Sequence, residues 1–393
     1  MTNSIEIISE KEISKDLSNL LQQANNYKAR KDYEKVLFCY IKAIKIKPAN
    51  SKLYQKLAKF LVQEEKNYKI DITKFSQFNF TPHFYQKMGD AFNNLGKLDS
   101  FITYYDRAIQ INPKLSEDLL PIMQNVRLRQ NNYDLALELY QRWIENYYIV
   151  NHEHKIIYCP IPKNACSFLK ILLVNNSKYK LDFKNSRKLN VGVHQYIRQN
   201  NKLKLGEFSY LSNPDYLKIA IIRNPFDRLV SGYLDKFVVG AEKAPLLVRN
   251  VIKNVYEFFD SKPDYDKSIT FENFVDYLSR TEDCYLDKHW RSQFSFLGRE
   301  LFQFDILDSL DNFDKVLKLL EQRIEVKIRN RKTGNKNYYG EHPSNSSWHQ
   351  LYPQELAKLK KLPKANLFYT PKLLNLVENR YKSDLEIYNN TIS

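Results

Sequence analysis

The stretch HKIIYCPIPKNACSFLKILLV, residues 154–174, decides the fold of the second half of this chain. Its first part, His154–Cys159, is a short apolar run followed by two prolines, which is typical of a buried strand in a parallel sheet. Its last part, Ser167–Val174, predicts an apolar helix. A buried strand that leads directly into a helix indicates an α/β fold.

A second unit of the same kind follows. The apolar run Leu217–Ile222 ends at Arg223, and Pro225 suits the first position of a helix. That helix would bury an apolar stripe formed by Phe226, Leu229, Val230, Tyr233 and Phe237. Two strand–helix units predict a mainly parallel sheet, and we assign residues 151–393 to one α/β domain. The rest of this domain is helix-rich, with loops around 329–347.

The residues before this domain, 15–147, carry a helical repeat. Three similar segments begin at Tyr33, Leu98 and Tyr133, and the first two each follow a helix of matching phase. Small residues stand where paired helices would cross, since they allow a close approach, and a proline ends the second helix of a pair. The pattern therefore predicts stacked pairs of helices.

This pattern resembles the tetratricopeptide (TPR) repeat, which has a period of about 34 residues. A degenerate copy begins at Tyr54, and the loop-like stretch 66–82 interrupts it. We therefore expect an all-α, TPR-like solenoid over residues 1–150. An ordinary amphipathic helical bundle is the alternative.

The composition is that of a folded protein. Of 393 residues, 43% are hydrophobic and 14% aromatic, which is enough for packed cores. Only 9 Gly and 14 Pro exclude collagen-like and low-complexity architectures. With 61 Lys and Arg against 45 Asp and Glu the net charge is +16, which is compatible with an anionic partner but does not identify one.

Cysteine usage and hydropathy set the expected compartment. The four cysteines are too few for a disulfide framework and show no zinc-ligand spacing: Cys39, Cys159, Cys166 and Cys284. The N-terminal sequence has no signal-peptide pattern, and no apolar run approaches the roughly 18 residues of a membrane span. We expect a soluble, cytoplasmic protein without a transmembrane segment or a bound metal.

The loop Pro162–Ser167 is the first candidate site. It joins a strand to a helix, so backbone N–H groups and the positive end of the helix dipole would meet there and favour an anion. Lys163 adds a full charge and Ser167 a hydroxyl donor. The loop has no glycine and is therefore not the Gly-rich phosphate loop of the P-loop nucleoside triphosphatases.

The second candidate site lies after the second strand. Arg223 stands where a strand's carboxyl end meets a helix, the usual place of ligand contacts in open α/β sheets. Ser231, two turns into that helix, could grip a second phosphate together with Arg223. Nearby, Arg228 and Asp235 could instead form surface ion pairs that take no part in ligand binding.

Together these segments resemble the carbohydrate sulfotransferase family that includes the chondroitin 4-O-sulfotransferases. Residues 158–170 are similar to its 5′-phosphosulfate loop, and residues 222–237 to its 3′-phosphate segment. Further matches are a His-Trp segment at 287–293 and residues 304–310 and 381–384. The resemblance implies a P-loop-like sulfotransferase fold over this domain. It also implies sulfuryl transfer from 3′-phosphoadenosine 5′-phosphosulfate (PAPS) to an acceptor hydroxyl, on a glycan or a small hydroxyl compound.

The resemblance also assigns roles to residues. It places the 5′-phosphosulfate of PAPS on Pro162, Lys163, Asn164, Ala165, Cys166 and Ser167. It places the 3′-phosphate on Arg223 and Ser231. Lys163 would be catalytic, because a fixed cation stabilises the charge that develops on the leaving phosphate. Cys159 and Cys166 are interpreted as packing residues rather than nucleophiles.

The general base stays open. The first candidate is His194, between the two phosphate segments, and the second is His289; a Glu or Asp could also serve. The family commonly has a histidine nearer the second strand, where this chain reads Ser212-Asn-Pro-Asp215.

Three other functions compete with this interpretation. A nucleotide kinase would need a Gly-rich loop and acidic Mg²⁺ ligands. A decayed domain acting as a TPR adaptor is the second, and nucleic-acid binding, which has only the net charge in its favour, is the third. The repeats would bind a protein partner or the acceptor. The basic segment 329–336 is either a solvated loop or a contact to an anionic acceptor.

Overall fold

The computed structural model of the chain shows two compact units. They comprise residues 1–136, here unit 1, and residues 137–393, here unit 2. The structure describes residues 10–64, 78–180, 186–240, 245–298, 301–328, 339–344 and 346–392. In these ranges no helix combines the length and the apolar character that a bilayer crossing requires.

As the repeat predicts, unit 1 contains helices, and short turns join those within residues 10–64 and those within residues 82–147. They are α1 Glu10–Ala29, α2 Tyr33–Ile46, α3 Ser51–Glu64, α4 Pro82–Asn94, α5 Leu98–Ile111 and α6 Ser116–Arg129, followed by the start of α7 Tyr133–Tyr147. Turns this short place consecutive helices side by side. The predicted interruption 66–82 lies outside the described residues up to 77. Beyond them, Thr81 caps α4 and Pro82 is its first residue.

The crossing of α4 and α5 shows why the repeat needs a small residue. A Cβ atom on Gly89 would lie 2.5 Å from Cδ1 of Tyr105, so only glycine lets the two helices approach this closely. The Tyr105 hydroxyl then donates to Oδ1 of Asp90 at 2.6 Å. Ala43 and Ala108 are fully buried at their positions in α2 and α5.

Unit 2 contains the predicted parallel sheet. Its strands are β1 Ile149–Asn151, β2 Ile156–Cys159, β3 Leu217–Ile222 and β4 Ile306–Ser309, in that spatial order. The β2–β3 and β3–β4 pairs are parallel, and β1 adds an antiparallel edge. All four residues of β2 are buried, which explains its unbroken apolar sequence.

Three helices pack against one face of the sheet. They are α8 Cys166–Asn175, α9 Ser186–Gln199 and α13 Phe313–Ile324. Because side chains alternate along a strand, Tyr158 joins this core while Cys159 faces the other way. On that side Cys159 contacts the carbonyl of Phe296, and Trp143 of α7 lies against the ring of the same residue. The last part of α7 is thus part of unit 2.

A second core of unit 2 gathers around α10, Pro225–Tyr233. The predicted helix continues beyond Tyr233 as a π-helical stretch, Leu234–Val239, a widening often found at functional sites. The remaining elements are α11 Pro245–Phe258, α12 Phe271–Arg280, β5 Tyr339–Gly340, α14 Pro353–Ala357, β6 Leu362–Pro363, α15 Pro371–Arg380 and α16 Lys382–Ile392.

Candidate functional site

The loop between β2 and α8 has an unusual backbone. Lys163 and Ala165 have φ angles of 72° and 56°, in the left-handed region that non-glycine residues rarely adopt. Between them, Asn164 is fully buried and its amide donates to the carbonyl of Ile221 at 2.8 Å and to Oε1 of Gln293 at 2.6 Å. The Asn164 side chain therefore anchors the loop, and its backbone is what the loop presents.

The N-terminus of α8 is open to an anion. Ala165 is the N-cap, and among the described residues no side chain caps the helix. The first N–H groups of a helix without such a cap need another acceptor. Cys166 and Ser167 occupy this first turn, where the sequence predicts an anion site. Cys166 is partly exposed, whereas Cys159 is buried and its burial raises the pKa of the thiol.

Lys163 has a carboxylate partner that the sequence did not reveal. Its Nζ lies 3.3 Å from Oδ2 of Asp235, and Nζ of Lys236 lies 3.3 Å from the same oxygen. The Lys163 side chain is only 14% exposed; burial lowers the pKa of its amine, and Asp235 opposes that shift. Burial raises the pKa of Asp235, but the two ammonium groups outweigh it, so the net shift is downward.

Arg228 does not form the surface ion pair considered above. Its guanidinium is buried and donates to the carbonyls of Pro162 at 3.1 Å, Lys288 at 3.1 Å and Arg291 at 2.8 Å. It therefore ties the β2–α8 loop to the segment that follows Asp287. The surface interpretation was wrong because a helical position alone does not tell which tertiary neighbour covers it.

Arg223 lies where the sequence placed it, at the carboxyl end of β3. Its Nη1 donates to the Lys163 carbonyl at 3.3 Å, so the two predicted phosphate segments are in contact. Its backbone is held on both sides by Gln293, which accepts from the Arg223 N–H at 3.0 Å and donates to its carbonyl at 2.8 Å. Ser231 lies on α10 and is partly exposed.

His194, on α9, faces two residues of α8. Its Nε2 lies 2.9 Å from Oγ of Ser167, and its Nδ1 lies 3.2 Å from Nζ of Lys170. Burial lowers the pKa of the imidazole to about 3, and the charges of Lys170 and Lys288 add to the effect. The ring is therefore neutral at physiological pH.

His289 forms a separate pair with a carboxylate. Its Nδ1 lies 2.5 Å from Oδ1 of Asp287, which also accepts from the His289 backbone N–H at 2.9 Å. Burial lowers the pKa of the imidazole to about 4 despite the opposing carboxylate. The His289 side chain is 20% exposed, while neighbouring Trp290 is buried in the second core. His289 thus lies at the edge of a packed segment.

The end of the chain fixes that segment. The buried carboxylate of Asp384 accepts from Oγ of Ser292 at 2.5 Å and from the N–H groups of Gln293 at 2.8 Å and Phe294 at 2.9 Å. Tyr381 donates its hydroxyl to the Trp290 carbonyl at 2.5 Å. Both were noted in the sequence by resemblance, and the structure gives them a role in support.

Sequence reasoning missed four further residues of this site: Lys170, Asp235, Lys236 and Asp287. A signal existed for two of them. Lys170 follows Ser167 by one helical turn, a spacing that puts both on one face of a helix, and Asp287 stands inside the His-Trp segment. The pairing of Asp235 with Lys163 depends on the π-helical stretch, for which the sequence carries no pattern.

Both parts of the chain are similar in sequence to known proteins. The profile of the sulfotransferase family matches residues 146–390, and the tetratricopeptide repeat profile matches residues 82–115, which span α4 and α5. Carbohydrate sulfotransferase 10 of Gallus gallus is 25% identical over 183 residues, covering 44% of this chain and 49% of the relative. Carbohydrate sulfotransferase 11 is 24% identical in Rattus norvegicus (42% and 49% covered) and 26% in Danio rerio (44% and 52%). The chain spans about half the length of these curated relatives.

Proposed function

Since this chain belongs to the sulfotransferase family, we propose that unit 2 transfers a sulfuryl group from PAPS to a hydroxyl group of a carbohydrate. The observation that carries the proposal is the β2–α8 loop, where Lys163, with a largely buried side chain, precedes a helix N-terminus that no described side chain caps. The carbohydrate acceptor is proposed because the relatives are named carbohydrate sulfotransferases.

The residues present fit PAPS. Uncapped N–H groups of α8, the Lys163 ammonium and the Ser167 hydroxyl form a donor set for the 5′-phosphosulfate. Arg223 and Ser231 supply a guanidinium and a hydroxyl for the 3′-phosphate, and the contact of Arg223 with the Lys163 carbonyl joins the two subsites. When bound, PAPS would supply a sulfuryl group activated by its link to phosphate.

The protein contributes charge and proton acceptance. Lys163 stabilises negative charge on the leaving phosphate oxygen, an effect that is strong where water is excluded. Asp235 holds the Lys163 ammonium in place at 3.3 Å. A neutral imidazole takes the acceptor's proton, and both His194 and His289 are neutral at physiological pH because burial lowers the pKa of each.

The decisive measurement is transfer from labelled PAPS to a panel of glycans and small hydroxyl compounds, with Lys163→Ala as the test variant. We expect this substitution to reduce turnover by about 100-fold or more, since it removes an electrostatic contact that acts in the transition state. Lys155→Ala, which breaks an exposed pair with Asp215, is the matched control and should behave like the wild type.

Binding measurements separate this proposal from its rivals. Adenosine 3′,5′-bisphosphate (PAP), the desulfated donor, should bind to the wild type without a metal. ATP with Mg²⁺ should not compete with it at equal concentration. Tight binding of ATP with Mg²⁺ and no binding of PAP would instead indicate a kinase-like enzyme. If Lys163→Ala transfers the sulfuryl group as fast as the wild type, the β2–α8 loop has no role in the mechanism.

A further inference from the structure

The two histidines of the site differ in the partners of their ring nitrogens. His194 has a contact at each nitrogen, Ser167 at Nε2 and Lys170 at Nδ1. His289 has Asp287 at Nδ1, and within the described ranges Nε2 has no hydrogen-bond partner. A neutral imidazole donates from one nitrogen and accepts at the other, so these partners decide which nitrogen carries the proton.

The contact with Lys170 fixes the tautomer of His194. An ammonium group has three donors and no acceptor, so Nδ1 of His194 must accept from it. In the neutral ring Nε2 then carries the hydrogen and donates to Oγ of Ser167. Because Ser167 accepts in this bond, its own hydroxyl hydrogen is left to donate to another group. Ser167 lies in the first turn of α8, where the anion site is.

The contact with Asp287 fixes the opposite tautomer in His289. An ionised carboxylate can only accept, and the pKa of Asp287 is held low by its bonds to His289, against the effect of burial. Nδ1 of His289 therefore carries the hydrogen, and Nε2 has an open lone pair. A carboxylate that orients an imidazole in this way is the arrangement of hydrolase triads, where the far nitrogen is the base.

We propose that His289, oriented by Asp287, is the general base of the transfer, and that His194 is a positioning residue that keeps Ser167 as a hydrogen-bond donor to the sulfuryl donor. This inference rests on the proposed function and assigns roles within the same site. It reverses the order of the two candidates that the sequence suggested. His194 cannot accept a proton without first losing its bond from Lys170.

The acceptor O–H bond breaks and its proton moves to Nε2 of His289. The acceptor oxygen forms a bond to sulfur. The bond between sulfur and the 5′-phosphate oxygen breaks, and its electron pair stays on that oxygen beside Lys163. The products are a sulfate ester, PAP and a protonated His289, which returns its proton to solvent.

Glutamine at each histidine position separates the two roles. The glutamine amide has a donor and an acceptor but no basic nitrogen, so it can replace a positioning imidazole and not a base. We expect His194→Gln to restore the PAP affinity that His194→Ala loses, and to lower kcat far less than His289→Gln does. We expect His289→Gln to lower kcat by about 100- to 10,000-fold while the Kd for PAP stays unchanged.

The affinity for PAP provides a readout that does not depend on turnover. His194→Ala should raise the Kd for PAP about tenfold, because Ser167 loses the partner that orients it. Ser167→Ala should do the same, and the double variant should be no weaker than Ser167→Ala alone, since both changes remove one interaction. Additive losses in the double variant would show that His194 does not act through Ser167.

The outcomes keep this inference apart from the proposed function. If the wild type neither binds PAP nor transfers sulfate from PAPS, the proposed function fails. If it does both, but His194→Gln is inactive at unchanged PAP affinity and His289→Gln is active, the assignment of the base is overturned and the function stands. Circular dichroism and thermal melting show whether each variant folds. Where the Gln variant at a position does not fold, the Ala variant at that position is measured instead, and the reverse.

Discussion

The carboxylate of Asp235 lies between two lysines of the candidate site. The carboxylate is 3.3 Å from both Lys163 and Lys236. At these distances and in a partly buried site, the attraction is much stronger than in water. Asp235 therefore opposes the effect of burial, which lowers the pKa of Lys163. A charged Lys163 is what the proposed transfer requires.

Removal of this carboxylate should make activity sensitive to alkaline pH. Burial lowers the pKa of Lys163 and Asp235 opposes the shift, so Asp235→Asn should lower that pKa further. A lysine is charged only below its pKa, and the descending alkaline limb of kcat/KM, which reports the free enzyme, should move to lower pH. We expect the loss relative to the wild type to grow as the pH rises, by at most about tenfold per pH unit.

The pH profile of kcat/KM between pH 6 and 10 measures this effect. Asp215→Asn, which removes the exposed partner of Lys155, is the control and should leave the profile unchanged. An alkaline limb in Asp235→Asn identical to that of the wild type would mean that Asp235 does not set the charge of Lys163.

Among the elements, the β2–α8 loop and the segment 287–294 depend on buried polar side chains for their positions. Asn164, Arg228, Gln293 and Asp384 each bond to backbone groups of a different part of the chain. Such bonds satisfy buried carbonyl and N–H groups that have no partner in a regular helix or strand. These bonds fix the two loops without regular secondary structure, as the proposed binding of two phosphates would require.

Arg228 tests this view of the loops. Its guanidinium reaches three carbonyls at once, which the single ammonium of lysine cannot do. We expect Arg228→Lys to lower the free energy of unfolding by about 2–4 kcal/mol, because buried carbonyls are left unpaired. The Kd for PAP should rise as well, because the β2–α8 loop loses the hydrogen bond from Arg228 to the Pro162 carbonyl.

Denaturant unfolding followed by circular dichroism and PAP titration check both effects. Arg249→Lys is the control: Arg249 is exposed and contacts only the ring of Tyr265 among the contacts described, so the change should be neutral. Stability of Arg228→Lys equal to the wild type would contradict the supporting role of the guanidinium.

The sequence predicted the regular elements well and the contacts between them poorly. β3 has the predicted bounds, and α10 begins at Pro225, because an unbroken apolar run and a proline at the first helical position are local signals. Arg228 was misplaced because its three partners come from distant parts of the chain. The left-handed backbone at Lys163 and Ala165 could not be predicted, because neither residue is a glycine. Tertiary hydrogen bonds such as those of Asn164 hold the loop in this conformation.

At the scale of the whole molecule, the chain combines a helical repeat unit with a unit of the sulfotransferase family. The repeat was predictable because its small and aromatic residues recur in phase, and the profile match at 82–115 confirms it. Repeats of this kind offer an extended surface for binding. The sequence left open whether that surface binds a protein partner or the acceptor, and we propose a protein partner.

A substitution at Gly89 distinguishes these two roles. Its missing Cβ leaves room for the Tyr105 ring, so Gly89→Val should force α4 and α5 apart and destabilise unit 1 by about 1–3 kcal/mol. The crossing lies wholly within unit 1, so we expect PAP affinity and transfer to a glycan acceptor to stay at wild-type values, while the binding of a protein partner is lost. Asn94→Val, at the exposed end of α4, is the control.

Thermal melting, PAP titration and the KM for the glycan acceptor distinguish the roles in one series. If the repeats bind the acceptor, Gly89→Val raises the KM for a long glycan and leaves the KM for a short acceptor and the Kd for PAP unchanged, because only the longer chain reaches a second binding surface. If Gly89→Val has the same KM as the wild type for the long glycan and for the short acceptor, the result supports the protein-partner role. A raised KM for the long glycan alone would overturn it and make the repeats part of acceptor recognition.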